Sequence, residues 1–376
     1  MMKKINLTIL CLICVALLAA CGKSEKTKIS AENSTADNQL SNGAADHLSG
    51  NDKLTFLTPE YDDSNNKLTV KNVTDGKETA AYSFDEPQAP IMTGKLCEGF
   101  WMLSSQSDST EDIQNGVGVM VTGDSLEQPL VYWQFDETMK LQKQYELSDS
   151  ELTESLSNGV LAISPDGKDV IYAGNDCLYR YEFETKKIQE VAPEMAETVF
   201  YSAVQYSDSG KYLAFFGSSP NREGTIYGCI NLENGDSKSF FAENFIGMTL
   251  TVNGDYAAIS DTVLPSKIDT GTKTGSVLYL DLTEQQGKQI YVDDIGESGL
   301  VSVSADGKYV ITCFGGDSPS GVIRIYCVDD GEKTVDQSYN MDVNCKPYAI
   351  LVDEQSAYGA LITENGYAVT TAVAFE

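Results

Sequence analysis

Leu161–Gly174 reads LAISPDGKDVIYAG, two short apolar runs joined by Ser-Pro-Asp-Gly-Lys. Proline presets one turn position, aspartate bonds the backbone ahead of it, and glycine supplies the left-handed residue, so the stretch predicts a tight β-hairpin. The pattern returns as Val204–Gly217, VQYSDSGKYLAFFG, and as Val301–Gly315, VSVSADGKYVITCFG, with a shorter version, LTVNGDYAAIS, at Leu250–Ser260. The turn glycines Gly167, Gly210, Gly254 and Gly307 are spaced by 43, 44 and 53 residues. Such a period marks four-stranded units stacked in a ring. An all-β fold is therefore expected, a β-propeller of four-stranded antiparallel blades.

Strand and turn signals alternate from Lys53 to the end of the chain. A three-stranded partial unit starts at Leu54, a second unit runs from about Gly99 to Leu147, and further units follow at about 158–192, 199–242, 246–292 and 298–340. Residues 347–376 supply a last partial unit. Five complete units with two partial ends favour seven blades over six, six resulting if the ends merge into one.

The first 21 residues carry Lys3 and Lys4, then an apolar run from Ile5 to Leu18, then Leu18-Ala19-Ala20-Cys21. That run is short for a membrane span and suits the core of a signal peptide. Residues 1–20 are thus expected to be a leader and 21–52 a disordered tether, since the tether lacks the apolar residues needed to offset its ordering entropy. The propeller would occupy 53–376.

The 376 residues carry 26 basic and 56 acidic side chains, a formal net charge of −30. This opposes binding to nucleic acid or to an anionic membrane surface by charge. No cofactor is expected beyond divalent cations held loosely by the acidic surface. The single histidine, His47, falls in the tether, so a Ser-His-Asp or Cys-His arrangement has no imidazole in the domain. Six cysteines, Cys97, Cys177, Cys229, Cys313, Cys327 and Cys345, follow Cys21 and are expected to be mostly unpaired thiols. Trp101 and Trp133 read as packing between neighbouring blades.

Two resemblances rest on these residues. Leu18-Ala19-Ala20-Cys21 resembles the bacterial lipobox, which implies lipid attachment (palmitate among the acyl chains) at Cys21 and a place on the outer side of the cell membrane. Ser164–Lys168 with VIYAG and LYRYEFETKKIQEV, and its returns at Ser207–Lys211 and Ser304–Lys308, is similar to the WD-like repeat of TolB-type propellers. That resemblance implies a binding or interaction module whose partner is a protein or an envelope polymer; it leaves the oligomeric state open. The alternative is a hydrolase or lyase acting on a sugar or lactone through carboxylates or a metal.

The short Ser-Pro-Asp-Gly-Lys turns mark one face as structural. Longer loops at Ser218–Gly224, Ser260–Gly275 and Gly315–Gly321 gather on the other, with Ser104–Asn115 read as joining the first two strands of its unit. Loops over a rigid scaffold are the usual place for binding. Arg222, Glu223, Lys267, Asp269 and Asp317 are the polar side chains expected there; no residue is assigned a catalytic or metal-binding role.

Overall fold

The computed structural model describes residues 56–74, 76–106, 130–147, 160–174, 177–191, 198–261, 274–293, 299–315, 318–363 and 366–375. The expected leader, the tether and Cys21 lie outside them. The described residues form antiparallel sheets without a helix.

The first sheet holds β1 (Leu57–Asp62), β2 (Lys67–Asn72) and β3 (Glu78–Ser83). The second holds β4 (Gln88–Leu96), β5 (Gly99–Gln106), β6 (Leu130–Phe135) and β7 (Leu141–Leu147). β8 (Leu161–Ile163), β9 (Asp169–Ala173), β10 (Leu178–Glu182) and β11 (Lys187–Val191) make the third. The fourth is β12 (Phe200–Tyr206), β13 (Tyr212–Ser218), β14 (Gly224–Asn231) and β15 (Ser237–Glu243). The fifth is β16 (Gly247–Asn253), β17 (Tyr256–Asp261), β18 (Thr274–Asp281) and β19 (Gln286–Asp293). The last sheet runs through β20 (Leu300–Val303), β21 (Tyr309–Phe314), β22 (Ser318–Cys327), β23 (Lys333–Val352), β24 (Ser356–Thr363) and β25 (Gly366–Val369), with β26 (Val373–Ala374) also paired to β24.

β23 is a 20-residue strand shared by two units. Its first half is the outer strand beside β22, and its second half is the inner strand beside β24. The fold is a β-propeller, its sheets following one another meander-fashion with inner strands set side by side from β8 through β12, β16 and β20 to β23.

One sequence expectation changes. The second unit begins at β4, eleven residues before Gly99, so β5 is its second strand and the chain leaves β5 toward the third strand rather than joining the first two. The hydrogen bonds of the first unit set which positions its three strands hold. In four units the residue after the third strand donates to the residue before the second: Phe183 to Lys168, Leu232 to Lys211, Leu282 to Asp255 and Val328 to Lys308. Val73 donates to Phe56 in the same way at 2.8 Å, and the β2–β3 turn repeats the turn from third to outer strand, Asn72 N to Lys77 O and Gly76 N to Asn72 O, as at Asn231–Asp236 and Cys327–Glu332. β1, β2 and β3 are therefore second, third and outer strands. Pro59, buried, fits the inner edge of β1, which among the described residues pairs with no strand and so needs no N–H there, and Thr93 Oγ1 of β4 donates to its carbonyl.

Apolar clusters fill the seams. Tyr132 stacks on Phe183 at 4.1 Å between the second and third units, and Phe84, Phe100 and Trp133 lie between the first and second. Trp101 and Trp133 are both buried in such seams. Six clusters join successive units from first to last. Among the described residues none spans the seam from last to first, where Phe56 meets the Tyr358 ring at 6.3 Å.

Candidate functional site

The two faces of the ring differ in what holds them. On the turn face, Ser164 Oγ accepts from the Lys168 and Asp169 amides, Ser207 Oγ from Tyr212 and Ser304 Oγ from Tyr309, each serine buried. Gly167, Gly210 and Gly307 take φ near +70°, which explains the glycine of the repeat. The turns then bond one another around the ring. Cys97 N donates to Pro165 O, Asp208 N to Gly254 O, and Gly254 N back to the Asp208 carboxylate. Asn253 Nδ2 reaches Val303 O in the next unit at 2.8 Å. Between the third and fourth units the link is a buried carboxylate: Asp169 accepts from Tyr206 Oη and from Arg180 Nη2, the latter at 2.6 Å. Burial pushes the Tyr206 hydroxyl well above its usual pKa, so it stays protonated and donating. This face is interlocked.

The opposite face is built differently over the fourth and fifth units. Phe200, Ser218 and Thr225 stand in one register row across β12, β13 and β14. Thr225 Oγ1 donates to Phe245 O and accepts from Gly247 N, clamping the connection into the fifth unit. That clamp lifts Ile246 outward, its own amide bonded to Asp261 Oδ1. Phe200 and Ile246 are each 43% exposed. On the same face the loop after β13 carries Arg222, whose guanidinium lies 3.6 Å from the centroid of the Phe241 ring. Such stacking holds a cation at a fixed place on the surface and desolvates little of it. Gly224 closes the loop at φ +137°, where a Cβ would come within 2.5 Å of Ala242 O.

The structure thus places Arg222 and Glu223, both exposed, on this loop face. Lys267, Asp269 and Asp317 lie outside the described residues. Phe200 and Ile246 were missed by sequence reasoning because an apolar residue at a strand start reads as core. The signal available was their position, each at the point where the chain crosses into a new unit.

A second feature belongs to the first unit. A hollow of about 500 Å³ is lined by Glu60, Tyr61, Asp62, Asp63, Ser64, Thr69, Lys71 and Glu78. Hydrogen bonds from Ser64 and Asn65 hold the Asp62 carboxyl down at about 2, while burial pushes Asp63 up. Among the described residues no group of three His, Cys, Asp or Glu is gathered for a metal. No disulfide links the six described cysteines; Cys97 is exposed and Cys229, Cys313 and Cys345 are buried.

No protein-family model and no curated protein matches the chain. Solved structures do. The β-propeller domain of Cps50 (Swd1) from Myceliophteria thermophila aligns over 85% of this chain and 100% of its own, at 10% identity and a TM-score of 0.50. The propeller domain of the Trilobed protease from Pyrococcus furiosus covers 78% of this chain and 85% of its own, at 11% identity and a TM-score of 0.47. Hydrazine synthase from Kuenenia stuttgartiensis covers 76% and 79%, at 13% identity and 0.43. At such identities the likeness is one of fold alone.

Proposed function

We propose that the chain is a lipoprotein held through Cys21 to the outer side of a bacterial membrane, and that its TolB-type propeller is a non-catalytic binding module for a protein or envelope polymer. The observation that carries this reading is the contrast between faces: interlocked turns on one, and on the other an exposed Phe200, an exposed Ile246 and an Arg222 stacked on Phe241. Interfaces draw their energy from aromatic and arginine anchors of this kind, with apolar neighbours that exclude water. The domain's histidine-free sequence removes the usual general base from hydrolytic chemistry.

The test is capture from envelope extract by the propeller, with Phe200→Lys/Ile246→Lys compared against a turn-face control, Asp306→Lys. Loss of the captured partner in the first and retention in the second supports the reading. Equal capture by both sinks the choice of face. Membrane retention of Cys21→Ser sinks the anchor.

The alternative, a carboxylate-dependent hydrolase or lyase, draws on the hollow of the first unit, where adjacent Asp62 and Asp63 are pushed in opposite directions as an acid and base pair would need. Turnover of a sugar or lactone that disappears in Asp63→Asn would favour it.

A further inference from the structure

The two end units meet out of step. β1, β2 and β3 hold the second, third and outer positions, whereas in the last unit Phe375 N donates to Gln355 O, the bond that follows a third strand, so β25 and β26 together end that sheet at its third position. Among the described residues β3 therefore has no counterpart across the seam. Strand alternation tells which side chains face it. Leu57, Tyr61, Leu68 and Val70 pack toward the second unit, so Phe56, Glu60, Thr69 and Lys71 turn to the last. In β24, Ala357 and Leu361 pack on the preceding unit, so Tyr358 and Ile362 turn to the first. The meeting of Phe56 with Tyr358 agrees with both assignments. β1 and β24 each run from the turn face to the loop face. The aromatic pair closes the seam at the turn end, while at the loop end Ile362 stands exposed.

The hollow of about 500 Å³ lies on this same side of the first unit, with Glu60, Thr69, Lys71 and Glu78 in its lining. Two ion pairs cross its floor, Lys71 to Glu60 and Lys67 to Glu78, each at 2.6 Å. The floor is thus paired charge for charge. A ligand of either sign would have to displace a pair, whereas a neutral one with hydroxyl groups can bond to both partners, because an ammonium has three donors and a carboxylate several acceptor sites. The opposite wall is apolar: exposed Ile362, half-buried Leu351 on the same side, and exposed Tyr348 in the bulge beside Pro347. One wall of interleaved donors and acceptors and one apolar wall match a pyranose, which carries hydroxyls around its edge and C–H bonds on its faces. The volume is that of a small-ligand site.

We infer that the seam between the last and first units is a cleft for a neutral saccharide segment, held by the ion-paired floor of the first unit and the Ile362 side of the last. The inference rests on the reading of the domain as a binding module for an envelope polymer, and adds to it a site apart from Phe200 and Ile246. A ligand touching both walls also ties together the two ends of the ring, at the seam that no apolar cluster spans among the described residues.

Calorimetric titration of the full chain in detergent with two neutral tetrasaccharides, of glucose and of N-acetylglucosamine, provides the test, with spermine and a basic peptide as charged comparisons. At least one tetrasaccharide should bind, and Lys71→Met and Ile362→Asp should each weaken it about 10-fold, the loss of one charge-assisted or apolar contact. Both side chains are partly exposed, and melting curves check that the variants fold. A second measurement needs no variant: the bound sugar should slow amide exchange in Leu57–Asp62 and Ser356–Thr363 together. Binding by neither tetrasaccharide, or by spermine or the peptide alone, overturns the inference. Weakening by Phe200→Lys/Ile246→Lys instead places the sugar on the loop patch, which overturns the cleft and leaves the binding-module reading standing. Envelope capture, measured separately with that double variant, decides the broader reading.

Discussion

Replacing Asp169 with alanine tests how far one buried carboxylate secures the seam between the third and fourth units. The side chain is 3% exposed and holds two donors, Tyr206 Oη and the Arg180 guanidinium. Removing it orphans both. A buried hydroxyl left without an acceptor costs about 1–3 kcal/mol. Breaking a fully buried ion pair costs about 3–5 kcal/mol, but Arg180 is 36% exposed and can turn partly to water, so roughly 1–2 kcal/mol is the fitting share. Together the loss comes to about 3 kcal/mol. For a domain of about 320 residues the unfolding entropy is on the order of 0.7 kcal/mol/K, so the melting temperature should fall by about 4–5 °C. Tyr206→Phe, which removes only the hydroxyl, should cost about 1 kcal/mol, and the double variant should cost less than the sum, because the two share one bond. Thermal melts of the three variants give the answer. A loss below about 1 kcal/mol in Asp169→Ala, or strict additivity, would refute the claim that this carboxylate ties the two units together.

Gly254→Ala should destabilise by about 2–3 kcal/mol, since the residue sits at φ +61° and its new Cβ would stand 2.8 Å from Ala305 O. Gly76→Ala, at φ +66° with nothing within 4 Å, should cost only about 1 kcal/mol; equal losses by urea unfolding would discard the steric part of the argument. Burial pushes the Cys229 and Cys313 thiols up to about 12, against an ordinary value of 9.0. A thiol reagent at pH 8 should therefore label Cys97 at once and these two only on unfolding, and early labelling of all three would contradict their burial. The same shift has a sign: the folded state favours the neutral thiols, so this contribution is intact below pH 9 and fades as pH rises from about 9 through about 12, which a stability profile across that range will show.

The ring was legible because its turns are chemically narrow. Ser164, Asp166, Gly167 and Lys168 each do a separate job in one hairpin, so their return at Ser304–Lys308 could only mean the same hairpin again. β4 escaped because Pro90 and Gly94 interrupt its alternation, although a bulge beside Pro90 and the Trp101 ring over Gly94 accommodate both. The phase of the first unit was hidden for a different reason. Three strands look alike from either end, and the turn after β2 tells them apart: Asn72 N donates to Lys77 O and Gly76 N to Asn72 O, the same pair of bonds that follows β14 at Asn231 and β22 at Cys327. Likewise Arg222 and Glu223 announced a loop, but no pattern in the chain says that Arg222 lies over Phe241, because that pairing joins two strands through space.

The narrow joint between Phe56 and Tyr358 sets where the molecule yields. Among the described residues six apolar clusters hold successive units together, while no such cluster joins the last unit to the first, where Phe56 meets Tyr358. Tension applied at Phe56, where the described residues begin, acts directly on that joint. A tug on that side therefore loads the weakest joint first, and the circle parts there into an arc before any blade comes undone.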